Sequence, residues 1–384
     1  MAAESQTLTT FQRWVFWIVL PFIGIGFALN LFFLRTSHIG LAPIKGLKHV
    51  DWLGALLFVA SLTSFLVALS WGGSMFPWAS WHTLVPLIIG AAGLGGWVIF
   101  EHLVPTNPIL PLAILNNRTA VLSYAGTFFL GLIQFGMQYY LPLFYQVSKG
   151  YSPLLSGVAL LPQCVFSGIS SIATGQAIAR TGRYKTIVLA GWAIMTLGCG
   201  LLVKLDTHTT IAQLIFLNMP SGLGLGMIFI AQPMAAQAAS SEKHMAIAAG
   251  LTPFFRVIGQ SLGIVIGGTI FQNAFRTRLA TSSLAAHATE LAEDAASFAT
   301  IIASELSGVR AELIHSFDKS IHIVWWCLFA FSATGGLLSL GMREISLDRA
   351  VSEKDVAEES IVREDAIPAT VVVNAEKSST IEDA

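Results

Sequence analysis

Nine long apolar stretches alternate with shorter polar segments along the chain. They run from Trp14 to Leu34 and then over 52–71, 83–104, 120–145, 154–179, 186–203, 210–234, 247–273 and 321–342. Each is close to the roughly 20 residues that a helix needs to cross a hydrocarbon core of about 30 Å. Within each stretch the apolar character is continuous instead of periodic, as expected of a helix with lipid for solvent. Pro21, Pro142, Pro162, Pro220 and Pro253 fall inside these stretches. Membrane helices tolerate such prolines because neighbouring groups re-satisfy the freed backbone. The pattern predicts an all-α, polytopic membrane protein of about nine transmembrane helices.

Two segments break the pattern. Residues 276–320 are rich in Ala, Ser and Glu and carry Arg276, Arg278, Glu290, Glu293, Asp294, Glu305 and Glu312. They read as a long extramembrane loop with room for some helix. Residues 343–384 mix acidic residues with Ser, Ala and Val without a sustained period, which predicts a disordered tail. At the other end, residues 1–12 form a short tail with no Lys or Arg. The apolar run after it is about 21 residues, longer than the 7–15 of a secretory signal, so it is read as a permanent span.

Composition agrees with this reading. The chain has 384 residues, 54% hydrophobic and only 11% charged, with a mean hydropathy of +0.69. Soluble domains carry about 25% charged residues, so there is too little polar surface here to cover a globule. The net charge of −1 says nothing of nucleic acid, and no basic patch stands out from the loop Lys and Arg, so no nucleic-acid partner is expected. Cys164, Cys199 and Cys327 all lie in apolar stretches, and no Cys/His spacing fits a metal site. No cofactor motif is present, and no nucleophile–base pair suggests an enzyme.

Short-loop charge sets the orientation. Alternate loops hold Arg35, Lys45 and Lys48; Arg118; Arg180, Arg183 and Lys185; Lys243; and Arg343 and Arg349. The opposite set holds Arg13, Lys149 and Lys204. The richer set is expected in the cytoplasm, together with the 343–384 tail, and 276–320 is expected outside.

Three stretches carry recognisable motifs. One runs from Arg13 through Trp14 and Trp17 to Pro21. A second runs from Tyr139 through Pro142, Gln146, Lys149, Gly150, Ser152 and Pro153 to Pro162. The third runs from Phe254 through Arg256, Gly259 and Gln260 to Gly263. Together they resemble the fourteen-span drug:proton antiporter branch of the major facilitator superfamily, especially its fungal toxin and multidrug exporters. On that plan 13–35 resembles the family's sixth span and 51–104 its central two-helix pair. Residues 119–342 then resemble the six-helix C-terminal half, and the first five spans have no counterpart. The resemblance implies proton-coupled efflux of hydrophobic or amphipathic small molecules from the plasma membrane. Its partners would be the bilayer, the small-molecule substrate and a second transporter half. Alternating access needs two bundles, so transport by these residues alone is not expected. The alternative is a non-transporting or regulatory half-transporter that assembles with a membrane partner.

Several residues are candidates for function. Gln134, Gln138, Tyr139, Gln163, Asn218 and Gln232 are polar groups at mid-span, suited either to a substrate path or to interhelical hydrogen bonding. Gly175, Arg180, Gly182 and Arg183 resemble the family's cytoplasmic gating loop, with Ala179 at its acidic position. Ordinary positive-inside charge is the other reading of that loop. Arg256 is the one Lys or Arg well inside a span, where insertion costs about 2.5–3.5 kcal/mol. A gate contact, the substrate path and a lipid-phosphate anchor are all open to it. Gly259, Gly263 and Gly267 recur every four residues on the same helix. They suit close helix packing or a sliding surface. No Asp or Glu lies deep in a span, and Asp51 and Glu101 sit at helix ends.

Overall fold

The computed structural model describes residues 2–33, 51–72, 75–103, 117–241, 244–280 and 307–345. Nine helices lie among them: α1 (Ala2–Phe33), α2 (Trp52–Trp71), α3 (Trp81–Leu103), α4 (Arg118–Val147), α5 (Pro153–Thr181), α6 (Tyr184–Leu202), α7 (Ile211–Ala238), α8 (Met245–Ala280) and α9 (Ser307–Leu340). The only β feature among the described residues is an isolated bridge between Gly72 and Phe76. Eight helices are long and apolar enough to cross a membrane, and Trp17–Phe33 adds a shorter apolar segment. The chain is an all-α, integral, multi-pass membrane protein.

Helix α1 is a compact unit by itself. It begins at Ala2 instead of after a twelve-residue tail, since residues 2–13 contain neither Pro nor Gly and extend the helix past its apolar part. Similar extensions occur at the segment expected as a loop. Helix α8 continues to Ala280 and α9 starts at Ser307, both through helix-favouring Ala, Leu, Glu and Arg. The remainder of that loop, 281–306, and the tail from 346 onward lie outside the described residues.

Within 52–345, local chemistry sets the helix ends. Asn117 caps α4 by accepting from the Thr119 N–H at 2.9 Å, while its amide donates to the Ala239 carbonyl at 2.9 Å. Ser152 accepts from the Leu155 N–H ahead of α5, with Pro153 at the first helical position. Thr210 and Gln213 form a capping box at the start of α7. Gly182 ends α5 at φ +65°, a conformation that a side chain would strain.

Helices α4–α9 form one bundle around α4, the most buried of them. Its core joins Tyr140, Phe144 and Tyr145 of α4 to Trp192 of α6, Phe271 of α8, and Phe317 and Trp325 of α9. The α2–α3 pair docks on this bundle through Phe58, whose ring lies 4.9 Å from Phe254 of α8, and through buried Trp97. Connections alternate between two ends. At one end, Tyr184 donates to the Arg343 carbonyl at 3.0 Å and accepts from the Ile345 N–H at 2.9 Å. There Thr119 also accepts from the Arg343 N–H at 3.0 Å. At the other end, Lys149 donates to the Thr207 and Thr209 carbonyls, and Ser148 donates to Asp318.

Candidate functional site

Helix spacing places Gln134 and Gln138 on one face of α4, with Tyr139 the next residue, about 100° further round the helix. All three are at least partly accessible, and Tyr139 is 40% exposed. Gln134 meets Gln260 of α8, whose Nε2 donates to its Oε1 at 3.4 Å. Four residues earlier on α8, Arg256 is half-buried and holds its guanidinium carbon 4.2 Å from the centre of the Phe229 ring on α7. Among the described residues, no carboxylate forms an ion pair with Arg256. Phe229 was not singled out by sequence, and Gln260 was named there as a motif residue without a site role. The readable signal for Gln260 was its i,i+4 spacing from Arg256, whereas Phe229 needed the tertiary fold.

The other three mid-span polar residues lie inside the bundle, where the fold uses them between helices. The Gln163 amide donates to the Met137 sulfur at 3.5 Å. Asn218 donates to the Tyr145 hydroxyl at 2.7 Å and the Leu214 carbonyl at 2.8 Å. Gln232 is completely buried. With donors facing acceptors, its Nε2 reaches the Ser123 carbonyl at 3.1 Å and hydroxyl at 2.9 Å, and its Oε1 accepts from the Trp192 indole at 3.1 Å. Space for that amide comes from Gly126, where a Cβ would meet the end of the Gln232 side chain at 2.1 Å. The polar candidates therefore divide into an accessible trio and a buried trio.

What brings the α4 and α8 groups together is a backbone contact. A Cβ on Gly259 would lie 2.0 Å from the Phe128 carbonyl oxygen, and one on Gly267 would lie 2.4 Å from the Tyr140 ring. From the α4 side, a Cβ on Gly131 would lie 2.1 Å from the Arg256 carbonyl oxygen. Small residues also bring α7 against α5: Gly226 leaves no room for a Cβ beside Ser167, and Ser171 donates to the Gly226 carbonyl at 3.2 Å.

The α5–α6 turn opens onto a cleft of about 630 Å³ lined by Gly175, Arg180, Gly182, Arg183, Ile230 and Glu344, among others. The carboxylate on this cleft comes from the segment after α9, not from position 179. No sequence spacing links 344 with 180; Tyr184 and Thr119 hold 343–345 there. At the opposite end a cleft of about 1010 Å³ is lined by Lys204, Asp206, His208, His315, Asp318 and His322, among others. His322 meets the Leu205 carbonyl at 3.0 Å there. Glu101, near the end of α3, is buried at 4% exposure. No group of three or more His, Cys, Asp or Glu among the described residues is placed to hold a metal.

Known proteins are similar to this sequence. An MFS transporter of Phoma sp. (strain ATCC 20986 / MF5453) is 37% identical over 92% of this chain and 59% of its own length. An MFS-type transporter of Penicillium citrinum is 31% identical over 90% of this chain and 60% of its own. An MFS-type efflux pump of Fusarium sp. is 30% identical over 90% and 64%. The chain thus spans about three-fifths of the length of the curated relatives it matches. The sequence model of the Major Facilitator Superfamily matches residues 6–264, and the chain belongs to that superfamily.

Proposed function

We propose that the chain is the C-terminal bundle and central pair of an exporter in the fourteen-span drug:proton antiporter branch. Its substrates are hydrophobic or amphipathic small molecules, moved outward in exchange for protons. The carrying observation is the accessible face of Gln134 and Gln138 on the most buried helix of the bundle, with Tyr139 also accessible further round the same helix. Amide and phenol groups hold an amphipathic molecule by hydrogen bonds and ring contact without a fixed charge. The Fusarium relative, an efflux pump by name, supports the outward direction. In this reading α4 and α8 move as one unit because their backbones touch. Arg180 and Arg183 with Glu344 latch the cytoplasmic ends while the path faces outward.

A second reading is favoured by α5, whose outer face exposes Leu155, Val158, Leu161, Val165, Ile169 and Ile172. That apolar row suits either lipid or a second transporter half, and in this reading the chain assembles with a membrane partner without transporting.

Flux separates the two. Proteoliposomes holding the chain alone should show no pH-gradient-driven movement of a lipophilic dye, because alternating access needs two bundles. Fusion to the first five spans of a relative should give flux that disappears when the gradient is collapsed. A folded fusion without flux, together with co-purification of a second membrane chain, would select the second reading.

A further inference from the structure

Arg256 sits roughly 16 Å along α8 from its first residue, at 1.5 Å per residue. A guanidinium at that depth calls for a counter-charge, and among the described residues no carboxylate supplies one. The face of Phe229 provides only a quadrupole. Beside it, the amides of Gln260 and Gln134 meet at 3.4 Å, adding N–H donors on the accessible side of α4 and α8. The Arg256 backbone is fixed by its contact with Gly131. The guanidinium is therefore carried on a rigid helix, held against an aromatic ring and flanked by neutral donors. That arrangement fits an oxyanion brought in by a ligand.

We infer that Arg256, with Phe229, Gln260 and Gln134, is the recognition point for the carboxylate or enolate of an acidic amphipathic substrate. The inference rests on the exporter reading above and adds the charge of the substrate to it. The apolar body of such a molecule would lie beside Phe229, with its anionic end on the guanidinium. Neutral analogues would keep the ring contacts and lose the charge-assisted hydrogen bond.

The test is a binding measurement on the full chain in phosphatidylcholine nanodiscs, using dansyl-glycine and its uncharged methyl ester as paired fluorescent probes. The acid should bind about tenfold tighter than the ester, the ratio that one charge-assisted hydrogen bond supplies. Arg256→Gln should bring the ratio to about one by weakening the acid alone, and Arg256→Lys should keep part of it. Unchanged affinity for the ester shows that the variant is folded. Should Arg256→Gln not fold, Gln260→Leu provides the second variant and should also lower the ratio. No preference in the unsubstituted chain, or a preference that survives Arg256→Gln, overturns the inference. Transport is scored separately, in the fusion with the first five spans. A preference abolished by Arg256→Gln without gradient-driven flux leaves this inference standing and fails the exporter reading. Equal flux of both probes, unaffected by Arg256→Gln, does the reverse.

Discussion

Gly263 of α8 and Leu132 of α4 meet backbone to backbone: a Cβ on Gly263 would lie 2.3 Å from the Leu132 carbonyl oxygen. No rotamer change relieves such a contact, because the obstructing atom belongs to a helix backbone. Lipid tails are as apolar as the helices, so close packing takes the place of hydrophobic burial in holding them together. Gly263→Leu should push α4 and α8 apart and sharply reduce the yield of monodisperse protein. Gly250→Leu is the control, since a Cβ there meets nothing within 4 Å. Fluorescence-detected gel filtration of both variants checks this, and equal losses would remove the importance given to the contact.

The orientation set by loop charge gives a second expectation. Thr181, at the end of α5, and Thr207, between α6 and α7, lie at opposite ends of the bundle. In a background with Cys164, Cys199 and Cys327 replaced, an impermeant thiol reagent applied to intact cells should label Thr207→Cys and not Thr181→Cys. The reverse pattern would invert the topology.

The buried amide of Gln232 links three helices through Ser123 and Trp192. Interhelical hydrogen bonds in membranes are worth about 0.6 kcal/mol on average and up to about 1.7. Gln232→Leu should sit at the upper end, because it also leaves the Trp192 indole N–H without its acceptor. Ser123→Ala should cost less. The double variant should cost less than the two together, since both act on one network. Denaturant titration followed by tryptophan fluorescence measures all three, and strict additivity would argue against a shared network.

The helices were legible because a spanning segment needs a long apolar run, and nine such runs are plain. Their ends were not, because Ala2–Arg13, Arg276–Ala280 and Ser307–Ser320 continue helices after the sustained apolar run stops, the last two with single side chains such as Leu279, Leu313 and Phe317 buried in the core. The polar candidates show a different limit. Gln134 and Gln232 are the same residue type at mid-span, yet one is accessible and the other buried. The difference lies in their neighbours: Gly126 opens a space for Gln232, whereas Gln134 meets Gln260 of α8. Likewise Glu344 joins the Arg180–Arg183 cleft only because α9 returns its last residues to Tyr184 and Thr119. Such pairings depend on the fold and leave no spacing to read.

The end of the bundle that carries Lys149 should respond to acid. Burial alone would raise the Asp206 carboxyl, but hydrogen bonds from the Thr207 hydroxyl and N–H, with the charges of His208 and Lys149, outweigh it and lower it. A carboxyl whose folded pKa lies below its unfolded value contributes its full stability above the unfolded value, about 3.9. That contribution is lost as pH falls through the folded value. The same carboxylate attracts Lys149, which ties this loop to the Thr207 and Thr209 carbonyls. Melting temperature should therefore fall below about pH 4, and Asp206→Asn should flatten part of that fall while lowering the plateau above it. Because Asp206 is exposed, solvent and salt screen its interactions and the difference should be small. High salt should shrink it further. Identical pH profiles for the two proteins at low salt would show that the Asp206 cluster contributes nothing to closing this end of the bundle.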